Sequence, residues 1–161
     1  MRHDIHSWLE AYGESHQNAV NKAIHWICVP LIMLSLIALL AELPLPDVLL
    51  NFFPEEFSIY AHWGSLLLLG ALLYYLSLSI SLSLGMLGLS YGLLLIAEGL
   101  SALPLPRWQS ALGIFIAAWI GQFVGHHIEG KKPSFLEDIQ FLLIGPLWLM
   151  SFIYRVLRIP L

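Results

Sequence analysis

Residues 57–97 read FSIYAHWGSLLLLGALLYYLSLSISLSLGMLGLSYGLLLIA, 41 positions without Asp, Glu, Lys or Arg. A helix rises about 1.5 Å per residue, so about 20 apolar residues cross the hydrocarbon core of a bilayer. This stretch is long enough for two crossings joined by a tight turn. The alternation Ser77-Leu-Ser-Ile-Ser-Leu-Ser83 places the turn near Ser77–Gly85. Its period of two also fits a strand. A lone strand in lipid leaves its backbone groups unpaired, so helices are the reading. Serines at helix ends bond back to local carbonyls.

The remainder of the chain agrees. Of 161 residues, 58% are hydrophobic and 11% charged, and the mean hydropathy is +0.78. A soluble domain carries about 25% charged residues. The chain is therefore read as one integral membrane domain over residues 1–161, an all-α polytopic helical bundle. A net charge of −4 with no basic patch gives no reason to expect a nucleic-acid partner. The single cysteine, Cys28, excludes an internal disulfide. Residues 1–22 carry Arg2, Asp4, Glu10, Glu14 and Lys22 and show no signal-peptide pattern, so the apolar runs are expected to direct insertion.

Further charge-free stretches run from Ala23 to Ala41, Trp108 to Ile128 and Ile139 to Tyr154. Four transmembrane helices are expected, near 23–42, 58–78, 83–102 and 108–128. Ile5, Trp8, Leu9 and Tyr12 recur at helical spacing and predict a short N-terminal amphipathic helix, suited to the membrane surface. The last run, Phe135–Leu157, holds Gly145-Pro146 and reads either as a kinked fifth span or as a re-entrant or interfacial helix. Leu43-Pro-Leu-Pro46 recurs as Leu103-Pro-Leu-Pro106, in each case where a span should stop. Arg2, Lys22, Lys131 and Lys132 flank spans one and four, whereas the loop after span one holds only acidic charges. The positive-inside rule then puts the N-terminus in the cytoplasm.

That topology gathers ionisable groups on one face. His16 and His25 flank the start of span one; His126, His127 and Glu129 close span four. Imidazole and carboxylate are ligands for iron and zinc, and ionisable groups at membrane depth point to function. His16 and His25 are nine residues apart, about 900° on a straight helix, so they share an ion only if the helix breaks between them. Asn21 is one turn before His25 and is placed to orient its ring. His126 and Glu129, three apart, face the same way, and His127 is about 100° round from His126. Gly125 allows close approach of another helix or a lipid. Lys131 and Lys132 suit either a substrate carboxylate or anionic phospholipid. Tyr12 is placed to hydrogen-bond a substrate or to sit in an interfacial belt with Trp8, Trp26, Trp108 and Trp148. His62, at the opposite face, is read as interfacial, Glu98 as snorkelling, and His3 and His6 as solvated.

Tyr12-x3-His16-x4-Asn21-x3-His25-x4-Pro30, followed by Gln122-x2-Gly125-His126, Glu129, Pro133 and Gly145-Pro146, resembles the membrane 2-hydroxy fatty acid dioxygenases. This family comprises fungal phytosphingosine-degradation enzymes and bacterial relatives. The resemblance spans nearly the whole chain. It implies an Fe(II)-dependent oxidoreductase that takes a 2-hydroxy fatty acid and O₂ and yields a fatty acid one carbon shorter. It also implies His16, His25 and His126 as catalytic metal ligands, with Glu129 or water completing the set. Tyr12, Asn21, Gln122, His127, Lys131 and Lys132 then fall to substrate or supporting roles. Cys28 stands where the family has glycine, and the segment after His126 is shorter than in fungal members. Two other classes fit the histidines: a haem-binding electron carrier and a zinc-dependent hydrolase. A non-enzymatic lipid-binding protein fits the apolar helices.

Overall fold

A computed structural model describes residues 4–51, 53–136 and 138–161. Arg2 and His3, named above, lie outside them. The described residues form helices and no strands. Helix α1 is Ile5–Glu14, α2 Ala19–Leu40, a short α3 Asp47–Leu50, α4 Trp63–Leu78, α5 Ile80–Gly99, α6 Arg107–Glu129 and α7 Phe141–Leu157. Three of them, α2, α5 (with the 3-10 turn to Ala102) and α6, are long and apolar enough to cross a membrane; α4 and α7 are shorter apolar helices. The predicted turn in the long apolar stretch falls at Ser79, whose extended backbone ends α4 and whose hydroxyl accepts from Leu82 N–H to cap α5.

The far end of the bundle, distant from His25, is tied by charge. Arg107, opening α6, donates to both oxygens of Glu98 on α5 at 3.0 Å and to Glu42 after α2 at 2.6 Å. His62, capping α4, is buried and lies 3.6 Å from Glu98. His62 and Glu98, read as interfacial and snorkelling, are joined with Arg107 and Glu42 in one polar cluster. It joins the ends of α2 and α5 to the starts of α4 and α6. Of these residues only His62 is buried and in need of a protein partner; Glu42, Glu98 and Arg107 are partly exposed.

At the near end, α7 lies across the bundle. Tyr75, ending α4, donates to Leu143 O at 3.0 Å, and Tyr154 near the other end of α7 donates to Ser81 O at 2.6 Å. Both ends of α7 thus meet the α4–α5 turn, and the helix does not run through the bundle as a fifth crossing. It remains helical through Pro146. Helix α1 buries Ile5, Leu9 and Tyr12 against this helix rather than lying alone on a lipid surface. Together α1 and α7 roof the near end.

Candidate metal centre

The local sequence makes the break that the histidine spacing demands. Helix α1 ends at Glu14 and α2 starts at Ala19, so His16 sits in the linker. Asn18 caps α2, its side chain accepting from Val20 N–H at 2.8 Å and Asn21 N–H at 3.4 Å. Glu129, arriving from the end of α6, accepts from Gln17 N–H at 2.8 Å, from Asn18 N–H at 2.9 Å and from Asn21 Nδ2 at 3.0 Å. A carboxylate at a helix N-terminus completes the orphan donors and complements the dipole. The chain can therefore turn back sharply enough for His16 to face His25.

His16, His25 and His126 are all buried. Each offers one nitrogen, and these three atoms lie within 4.8 Å of one another. His16 Nδ1 is 2.6 Å from Tyr12 O, and His25 Nδ1 is 2.9 Å from Asn21 O. A carbonyl oxygen only accepts, so both Nδ1 atoms carry the proton and donate. Both Nε2 atoms then bear lone pairs, yet they face each other at 2.9 Å. Two acceptors at that distance repel unless a cation lies between them. Burial, reinforced by the nearby His25, pushes His16 down to about 3, so it is neutral near pH 7 and no shared proton is expected there. Two imidazole nitrogens about 2.1 Å from one ion and at right angles to each other are about 3 Å apart. His126 Nδ1 is buried without a hydrogen-bond partner. An orphaned nitrogen beside a repelling pair is the donor set of a site able to hold a metal ion.

The other predicted residues divide. Tyr12 stacks on the His16 ring, centroids 4.1 Å apart; burial raises its phenol above the ordinary range. Asn21 orients His25 through its backbone oxygen, not through its amide. That amide donates to Glu129, and its Oδ1 fills the space a Cβ on Gly125 would need. Gln122 is buried beside His25. Glu129, expected as a possible ligand, instead spends both oxygens on the α1–α2 linker. His127 is exposed and outside the cluster. Lys131 donates to Glu14 O at 2.7 Å, a cation at a helix C-terminus. With Lys132, Ser15, Ser134 and Phe141 it lines a polar mouth beside the centre.

Three contributors escaped the sequence. Trp148, assigned to an aromatic belt, is buried and packs on the rings of His16 at 5.2 Å and Tyr12 at 5.4 Å. Ser15 lies 3.1 Å from His16 Nδ1, and its hydroxyl is 2.5 Å from that of Ser134. A belt tryptophan and a ring-packing one look the same in sequence, and two serines 119 residues apart carry no shared pattern. A small, mainly apolar pocket adjoins the centre, lined by Tyr12, Gln122 and His126 at one side and by Val29, Met33 and Pro146 at another. It meets the polar mouth at Ser134 and Phe141.

The chain is 29% identical over 160 residues to the 2-hydroxy-palmitic acid dioxygenase MPO1 of Saccharomyces cerevisiae, covering 98% of this chain and 84% of the yeast protein. No solved structure matches. Residues 2–157 match the family described as 2-hydroxy-palmitic acid dioxygenase Mpo1-like. With that match running nearly end to end, the chain belongs to the Mpo1-like family.

Proposed function

We propose that this chain is an Fe(II)-dependent dioxygenase that shortens 2-hydroxy fatty acids by one carbon at the cytoplasmic face of a bacterial inner membrane. The observation that carries the reading is the pair of facing, unprotonated Nε2 atoms 2.9 Å apart beside the orphaned His126 nitrogen. The name of the yeast relative supplies the substrate class. His16, His25 and His126 hold the ion. Tyr12 and Asn21 fix the first two rings through their carbonyls, as outer partners of metal-bound histidines do. Ferrous iron supplies the one-electron chemistry that O₂ requires. The pocket beside Tyr12, Gln122 and His126 takes the first carbons of the acid, and Lys131 and Lys132 draw its carboxylate to the mouth. Trp148 and Tyr12 keep bulk water off the rings.

The reaction balances without a co-reductant. The C1–C2 bond breaks, C1 leaves as CO₂, and C2 is oxidised from carbinol to carboxyl. The four electrons released reduce O₂, giving the shorter acid, CO₂ and water. A haem reading is disfavoured by the edge contact of the His16 and His25 rings, centroids 4.3 Å apart, which leaves no slot for a porphyrin. Iron-loaded protein given 2-hydroxyhexadecanoic acid should consume oxygen and form pentadecanoic acid, detected by mass spectrometry. Turnover that proceeds without oxygen, or unchanged activity in His126→Ala, would refute the proposal.

A further inference from the structure

A second small, apolar cavity lies beneath α7 on the other flank of α2. Val29, Met33 and Pro146 line both this cavity and the pocket at the histidines. These three residues are thus a shared wall. Beyond them the cavity is bounded by Leu89 of α5 and by Leu149 and Met150 of α7. It opens beside Trp26 and Ile153, which are about two-fifths exposed on the apolar exterior. Two prolines shape it. Pro30 in α2 and Pro146 in α7 each remove one helical hydrogen bond and hold the backbones apart. Met33 is eight residues from His25, about 12 Å along the helix axis, so the second cavity lies beyond the reach of the first few carbons. Methionine is unbranched and adaptable, the side chain suited to a wall that must yield.

We infer that the two cavities form one groove for the acyl chain of the substrate, running from His126 past Met33 and Pro146 and out to lipid between Trp26 and Ile153. This rests on the proposed reaction for the identity of the acid, and on the continuity of the apolar walls for its path. The carboxyl end sits at the polar mouth, the chain turns under α7, and its end lies among Leu89, Leu149 and Ile153. Leu89 is then a determinant of chain length, remote from the metal centre.

Two experiments test this on the full-length protein in detergent. The first uses 2-hydroxyhexadecanoic acid with a diazirine at its tail, photolysed without oxygen and mapped by peptide mass spectrometry. Label on Leu89, Leu149 or Ile153 that excess unlabelled acid removes and phospholipid does not is the expected result. Label elsewhere, or label that phospholipid displaces equally, would overturn the groove, the second outcome marking it as a resting place for bystander lipid. The second compares kcat/KM for short and long 2-hydroxy acids in Leu89→Trp and Leu89→Ala. Filling the far cavity should cut the value for the sixteen-carbon acid about tenfold or more, with the ten-carbon acid within about twofold of wild type. Leu89→Ala should spare both. An unchanged length profile in Leu89→Trp, with the label absent from these residues, would end the inference. Displaceable label in the groove without turnover of any 2-hydroxy acid would instead refute the proposed reaction and leave the groove standing.

Discussion

Gly125 shows how a single hydrogen atom in place of a side chain allows the site to assemble. A Cβ there would collide with Asn21 Oδ1, and Asn21 also supplies the carbonyl that holds His25. Gly125→Ala is expected to cost about 1–3 kcal/mol, as overpacking does, and to lower metal content. Gly113→Ala, where a Cβ meets nothing within 4 Å, should be neutral or slightly stabilising. Equal thermal shifts for the two variants would contradict the close approach. Gly121 makes the same accommodation for Cys28: its Cβ would fall 2.6 Å from the sulfur. The Cys28 side chain is thus accommodated by a glycine on the facing helix. His16 gives a pH signature in metal-free protein. Its native value of about 3 lies below the ordinary 6.5, so the unfolded chain binds more protons between these limits. Stability should be full above pH 6.5 and fall as pH drops toward 3. Melting curves at pH 7 and pH 5 should differ less in His16→Asn than in wild type; an identical pH effect in both would argue against it.

Among the elements, the α1–α2 break is held from a distance by the last residue of α6. Glu129→Ala removes an acceptor from three donors at once. A drop in iron affinity of about tenfold or more, measured by chelator competition, is expected from loss of this outer support; unchanged affinity would mean the linker holds its shape alone. At the far end Arg107 is partly exposed, so Arg107→Ala should cost about 2 kcal/mol, between the small value of surface pairs and the larger one of buried pairs. The same sequence that hid these clasps displayed the helices openly. Long charge-free runs, the Ser79 turn and both Pro-ended loops were legible because membrane crossing imposes length and apolarity on every residue. The His16–His25 break was legible as a geometric necessity, from nine residues and the helical pitch. Its means were not, since Glu129 reads as a ligand when only its spacing from His126 is visible. The pairing of His62 with Glu98 was hidden for a related reason: the two are remote in sequence, and pairing depends on how the helix ends meet.

At the scale of the molecule, the bundle and its roof divide the work. Helices α2 and α6 bring two histidines together in apolar surroundings, the α1–α2 linker adds the third, and α7 closes the near end while leaving an apolar path beneath itself. That division was only half legible: apolarity marked α7 as a membrane element, but both span and cap fit its length, and only its contacts with the α4–α5 turn decide for the cap. The proposed function depends on one property of this assembly, an ion held by three imidazoles. Elemental analysis of protein purified without oxygen tests it most directly. One iron per chain in the wild type, and none in a correctly folded His126→Ala variant, is the expected result. Iron retained in full by that variant, or wild-type protein that turns over 2-hydroxy acids with no iron present, would contradict it.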